Sequence, residues 1–347
     1  MKPVPALLPF SWLYECVVVL RNLLFDWKMF AAERIGVPVI SVGNITTGGT
    51  GKTPVVRLIA EMLLGKNIHT AIVSRGYGRR TEGLVEVSNG TTLEATAENA
   101  GDEAFELAMQ LPKASVVVDE ERVRGARYAA EKLNAQVVVL DDGFQHRALH
   151  RDLDIVLIDA AHSPFGMAML PAGHRRDTLR SLKRADAVLI TKVTSIANIV
   201  KLKDEIGRCT KAKIFSSSIA VTAFRRAKTR FSVDLNSVKG KQAVAFCGIA
   251  QPESFKNILE ELGIRVSSML AFQDHHPFTE SDIRRIIAEQ EKYKAEYIIT
   301  TEKDLARLSS SDLSEHYPLF CVEIEVTIHQ EREWNELIDS GLGRRKN

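Results

Sequence analysis

One stretch, Val37 to Leu64, limits what this chain can fold into more than any other. It reads VPVISV, then GNITTGGTGKT, then PVVRLIAEMLL. An apolar, β-branched run of this length is expected of a buried parallel strand. Beyond the glycines, Val55, Leu58, Ile59, Met62 and Leu63 recur at three- and four-residue spacing and make one apolar helical stripe. A strand, a glycine-rich turn and a helix in that order form a phosphate cradle. The glycines let successive backbone N–H groups converge on an anion, and the helix N-terminus adds partial positive charge. The predicted phosphate contacts are Thr46, Thr47, Gly48, Gly49, Thr50, Gly51, Lys52 and Thr53. Lys52 would reach the outer phosphates and the Thr53 hydroxyl would face Mg²⁺. The first glycine of the usual G-x-x-x-x-G-K-[ST] spelling is replaced by Thr46. A structural glycine turn followed by a chance Lys-Thr is the competing reading.

Further buried strands follow. Ile68–Ser74 runs into RGYGR, a loop that carries Arg75 and Tyr77. In open α/β sheets ligands lie at the carboxyl ends of strands, so this loop is expected to face the site. Gly101–Gln110 opens a helix with Asp102 and Glu103 in its first turn. From spacing alone, complementarity with the helix dipole is the favoured reading of these acids and catalysis the lesser one. The strand Gln136–Leu140 ends in Asp141 and Asp142, and Gln145 follows. A strand ending in aspartate is the metal-binding half of a phosphate-loop site. DAVLITK ends a later strand, and Thr194 stands where a guanine-reading [NT]-K-x-D motif would place its aspartate.

With 347 residues the chain has room for two domains. The predicted architecture is α/β: a phosphate-loop NTPase-like parallel sheet with a second, smaller α/β domain. The expected boundaries are 1–35 for an N-terminal interfacial helix, 36–215 for the core, 216–240 for a β linker and 241–347 for the smaller domain. A net charge of +2 gives no case for nucleic acid. Cys16, Cys209, Cys247 and Cys321 are widely spaced, with no C-x-x-C pair, which fits a reducing compartment. The first 35 residues are rich in Leu, Val, Phe and Trp, but Glu15 and Arg21 interrupt them. That pattern suits a helix lying in a membrane interface better than a span or a signal peptide.

GNITTGGTGKTP, SRGYGR, GDE, LDDGFQHRALHRD, PAGHRRD, DHHPF and TEKD occur in this order. Together they resemble the tetraacyldisaccharide 4′-kinases, the lipid A kinases of Gram-negative bacteria. The resemblance runs from about Leu7 to about Asp304. It implies ATP and Mg²⁺ as cofactors, and phosphorylation of the 4′-hydroxyl of lipid A disaccharide 1-phosphate at the cytoplasmic face of the inner membrane. The partners it implies are that lipid and the membrane surface, with no obligate protein partner. It also implies two α/β domains joined by a two-stranded linker. Asp102 resembles the catalytic base of the family, His275 would assist it, and Lys52 would serve the phosphates. Thr53, Asp141, Asp142 and Glu103 fall in the magnesium motifs. Arg75, Tyr77, Arg122, Gln145 and Arg176 are the candidates for substrate or phosphate charge. A switch or partitioning ATPase with a similar glycine loop is the alternative, but Thr47 replaces the signature lysine of that group.

Overall fold

The computed structural model describes residues 3–194, 196–227, 229, 232–249, 252–274, 276–308, 313 and 316–343. Two compact units divide the chain, one made of 1–219 with 326–347 and the other of 220–325.

In the first unit, helix α1 (Leu8–Asp26) precedes β1 (Val39–Asn44) and α2 (Lys52–Gly65). Then come β2 (Thr70–Ser74), β3 (Val85–Asn89), the short α3 (Ala97–Ala100), α4 (Asp102–Gln110), β4 (Ser115–Val118), α5 (Arg122–Glu131) and β5 (Val137–Asp141). They are followed by β6 (Leu153–Asp159), β7 (Ala187–Thr191), α6 (Ile196–Gly207) and β8 (Lys213–Arg226). The strands order as β8-β7-β6-β1-β5-β2-β4-β3, all pairing in parallel except the antiparallel edge strand β3. This is a phosphate-loop NTPase-like α/β fold. Beyond β3 the chain turns back through a single antiparallel bridge, Ser88 with Leu93, while β3 itself pairs with β4.

The central strands are buried along their whole length, as their unbroken apolar runs require. Helix α2 packs Val55, Val56, Ile59, Ala60 and Leu63 into one of the cores. Register fixes the functional edge: Val42 lies opposite Asp141, and Asn44 opposite Leu157. The glycine turn after β1 and the aspartates at the end of β5 therefore leave the sheet at the same edge. A close backbone approach holds them there. A Cβ on Gly43 would lie 2.6 Å from Phe144 Cβ and 2.8 Å from its amide nitrogen.

The second unit holds the far part of β8 with β9 (Ser232–Val233), then β10 (Gln242–Cys247), α7 (Pro252–Glu261) and β11 (Arg265–Ala271). It continues with α8 (Glu280–Tyr293), β12 (Tyr297–Thr301), α9 (Glu302–Arg307) and most of β13 (Leu319–Ile328). Its parallel strands order as β11-β10-β12-β13.

The unit boundaries differ from the expected segments. The chain passes between units in two long strands, β8 and β13, and the last helix, α10 (Glu331–Gly343), belongs to the first unit. So 326–347 does not form one unit with 241–325. The reason is apolar burial. Trp334, Leu337 and Ile338 join the same core as α2 and β6, and Trp334 meets Phe215 edge-on at 5.2 Å. No local pattern distinguishes a helix that packs on its own unit from one that returns to the other. Trp334→Ala removes the largest fully buried side chain. It is expected to cost about 3 kcal/mol of first-unit stability. Urea unfolding followed by fluorescence measures this, and a loss below about 1 kcal/mol would contradict the packing role of α10.

Candidate active site

The glycine turn is a braced loop. Gly48 (φ 102°) and Gly51 (φ 82°) take left-handed conformations that a side chain resists, and α2 begins directly after Gly51, at Lys52. An added Cβ at either glycine would meet nothing within 4 Å, so that side of the loop faces open space. From behind, Asn44 Nδ2 donates to Thr50 Oγ1 at 2.7 Å. The 168–177 segment supports the flank: Thr46 bridges Arg175, and the Thr47 N–H donates to His174 O at 2.7 Å.

Charge concentrates beside the loop. Lys52 Nζ lies 3.7 Å from Asp142 Oδ1. Arg176 grips the same carboxylate with two N–H groups, one at 2.8 Å from Oδ2, and also donates to Asn44. Burial alone raises the Asp142 carboxyl, but the Arg176 hydrogen bond and the Lys52 charge outweigh it and hold it down to about 2. Asp141 is placed differently. Burial, with the Glu103 and Asp142 charges beside it, pushes its carboxyl up to about 7. Ser74 Oγ donates to Asp141 Oδ2 at 3.3 Å, while Oδ1 is buried with no hydrogen-bond partner. A buried carboxylate oxygen without a partner, among like charges, is a place that a hard cation fits. Among the described residues no three His, Cys, Asp or Glu side chains form an all-protein metal cage. Mg²⁺ at nucleotide sites needs only one or two carboxylates, with phosphate oxygens and water completing its shell.

The RGYGR loop and the GDE turn meet through their backbones. A Cβ on Gly101 would stand 2.8 Å from Tyr77 O, so the start of α4 rests directly on this loop. Asp102 and Glu103 thereby sit beside exposed Arg75 and Tyr77. Arg122, at the start of α5, is 5% exposed. Burial lowers its pKa, which the Asp142 and Asp141 charges partly offset, and the Arg75 charge acts on it as well. Gln145 Nε2 donates to Asn44 O at 2.9 Å and closes the 141–147 turn onto β1.

The chain matches the tetraacyldisaccharide-1-P 4'-kinase family over residues 4–343. The chain belongs to this family. The tetraacyldisaccharide 4'-kinase of Chlorobaculum tepidum is 43% identical over 305 residues, which cover 87% of this chain and 85% of that protein. That of Desulfotalea psychrophila is 38% identical over 337 residues, covering 95% and 94%. A crystal structure of LpxK from Aquifex aeolicus in complex with ATP is 33% identical and covers 97% of this chain and 98% of its own, with a TM-score of 0.79.

In this member of the family the first unit brings Lys52, Thr53, Glu103, Asp141, Asp142, Gln145 and Arg176 to one strand-end edge, with Asp102, Arg75, Tyr77 and Arg122 beside them. His275 lies outside the described residues. Its neighbour His276 is committed elsewhere, stacked on Phe272 at 4.8 Å and bonded to Asp282 at 3.0 Å. Sequence reasoning missed Asn44, missed Lys192, whose Nζ donates to Gly49 O and to Asp159 Oδ2, and missed the cationic surroundings of His146. A strand-end Asn before a glycine turn was the available signal for the first. His146 is ringed by cations. Burial, followed by the charges of Arg122, Arg151, Arg21 and Arg75, holds its imidazole down to about 4, and its Nε2 is buried with no partner. Its folded pKa is below the ordinary value of 6.5, so the unfolded chain takes up the proton first. The stability from this group is complete above about 6.5 and is lost as pH falls from there toward 4. An NMR titration should find the His146 ring neutral at pH 6, and a midpoint above 6 would contradict this environment. His146→Gln should flatten the acid-side loss in the same window.

Proposed function

We propose that this protein transfers the γ-phosphoryl group of ATP to the 4′-hydroxyl of a tetraacyldisaccharide 1-phosphate. The observation that carries this reading is the open glycine cradle with Lys52 at the end of β1, set beside the Asp141–Asp142 pair at the end of neighbouring β5. Family membership and the ATP bound by the Aquifex aeolicus relative support it.

Phosphoryl transfer asks a protein mainly for alignment and for cancellation of charge. The loop N–H groups and the N-terminus of α2 hold the phosphates, and Lys52 and Arg176 neutralise them. Thr53, Asp141, Asp142 and Glu103 would hold Mg²⁺, which when bound draws charge from the phosphate oxygens. Asp102 orients the acceptor hydroxyl and takes its proton, with His275 assisting. A sugar hydroxyl ionises far above neutral pH, so this proton moves late in the reaction. Arg75, Tyr77, Arg122 and Gln145 bind the sugar and its 1-phosphate, which suits the cationic surroundings of His146.

We infer that α1 brings the enzyme to a substrate that stays in the bilayer. The helix is inverted relative to a soluble one. Ser11, Tyr14, Arg21 and Asn22 face the protein: Ser11 Oγ donates to Met169 O at 2.9 Å, and Tyr14 OH donates to Arg176 O at 3.1 Å. Arg21 donates to Gln145 O, and Asn22 Nδ2 donates to Asp177 Oδ1 at 3.1 Å. Phe10, Leu13, Val17 and Leu20 form an apolar stripe that faces outward, all more than half exposed. By length and composition the segment Pro5–Asp26 is sufficient to cross a membrane. Its polar inner face, bonded to the catalytic loops, instead favours lying along the cytoplasmic surface of the inner membrane.

Radiolabelled ATP with tetraacyldisaccharide 1-phosphate in detergent tests the activity. A labelled bisphosphate lipid is expected, whereas free phosphate without labelled lipid would indicate a switch ATPase instead. Lys52→Ala and Asp102→Ala should each lower kcat by about 10²-fold or more, with smaller changes in lipid KM. Near-normal turnover at saturating substrates would remove Asp102 from its role. Replacing Leu13, Val17 and Leu20 with serine should weaken flotation with anionic vesicles and leave the melting temperature nearly unchanged. Unaltered flotation would sink the docking role.

A further inference from the structure

Of the sequence motifs, TEKD is the one that the proposed phosphoryl transfer does not use. It spans the end of β12 and the start of α9. Strands β10, β11 and β12 run parallel, so the segments after Cys247, Ala271 and Thr301 leave the second sheet at one edge. In open α/β sheets ligands are met at that edge, the carboxyl ends of the strands.

Asp304 does more there than cap α9. The cap itself is local: the Thr301 hydroxyl accepts from the Asp304 N–H at 3.1 Å and donates to Asp304 Oδ2 at 2.7 Å. The same carboxylate also reaches the end of β10. The Gly248 N–H donates to Asp304 Oδ2 at 3.1 Å. Arg307 Nη1 donates to Asp304 Oδ1 at 3.0 Å and to Gly248 O at 3.1 Å. Asp304 is fully buried and the Arg307 side chain is 4% exposed. One buried ion pair therefore holds both backbone groups of Gly248. Such a pair adds little net stability, because desolvation of two charges offsets their attraction. It does hold Gly248 in one place.

Gly248 in turn is pressed against the segment that follows β11. A Cβ on it would lie 3.0 Å from Gln273 O and 3.3 Å from both Asp304 Oδ1 and His276 Cβ. The same segment is tied down at further points. The Phe272 N–H donates to Cys247 O at 2.8 Å, Lys303 Nζ lies 3.7 Å from Asp274 Oδ1, and Asp282 holds His276. In the sequence, His275 stands between Asp274 and His276.

We infer that Asp304 and Arg307 are positioning residues of the transfer reaction, which act through Gly248 on the 272–276 segment and so on the part that His275 plays. The inference rests on the reading of His275 as the assistant of Asp102, and it adds which groups of the second unit serve that assistance. Assistance of this kind needs hydrogen-bond distances, so a small displacement of the segment is felt in turnover.

Asp304→Ala would leave Arg307 buried without its partner and is expected to destabilise the second unit. Gly248→Ala keeps both charges and is the sharper variant. Gly248 does not take a positive φ, so alanine meets only the crowding, and its methyl group must push the neighbouring segment by a few tenths of an ångström. In the labelled-lipid assay at saturating substrates, Gly248→Ala should lower kcat about ten-fold and change the KM for ATP by less than about two-fold. In a His275→Ala background the same substitution should lower kcat by less than about two-fold, because the group it acts through is gone. A loss of stability alone would act equally in both backgrounds. Turnover of Gly248→Ala close to that of wild-type protein overturns the positioning role, as does an equal loss in the His275→Ala background, and either leaves the reading of His275 intact. Wild-type turnover in His275→Ala overturns that reading and the positioning role with it. Wild-type protein that labels no lipid overturns the kinase reading itself.

Discussion

The close approach of β1 to the 141–144 turn is the constraint on which the site depends. Gly43 lies so near the backbone of Phe144 that a methyl group would not fit between them. This contact sets how far the phosphate loop stands from the carboxylates of Asp141 and Asp142. Everything charged is then arranged around that spacing. Arg176 arrives on the 168–177 segment, Lys52 on the first turn of α2, and each finds Asp142. The outcome is a division of labour between neighbouring aspartates. Asp142 is satisfied by cations of the protein, while Asp141 keeps an oxygen without a partner.

The parts of the site that a local pattern encodes were legible in the sequence. A glycine turn links β1 to α2, β5 ends at Asp141 with Asp142 in the turn beyond it, and α4 opens with Asp102 and Glu103. What was not legible are the braces between them. The Asn44–Thr50 bond, the Thr46–Arg175 bridge and the reach of Lys192 to Gly49 join residues from 6 to 143 positions apart. Such contacts follow from strand order, which no hydrophobic period specifies. Unit boundaries were misplaced for the same reason: β13 and α10 look like the end of the second unit until their burial partners are known.

The N-terminal helix shows how one element can serve two surroundings. Its polar residues are used up on the inside, in bonds to Gln145 and to the 168–177 segment. What remains for the outside is apolar. Asp177 sits at this junction, 1% exposed, accepting from Asn22 and from the Thr178 N–H while facing Arg184. Helix position is therefore coupled to the segment that carries Arg176, one residue away.

The return of α10 to the first unit has a consequence for biosynthesis. A ribosome makes α1, the outward-facing apolar element, first, and the residues that complete the first core last. Until Trp334 and Ile338 emerge, the face of the sheet that includes Leu153 and Phe215 lacks its cover. The nascent chain thus exposes the apolar stripe of α1 well before it possesses a finished kinase core.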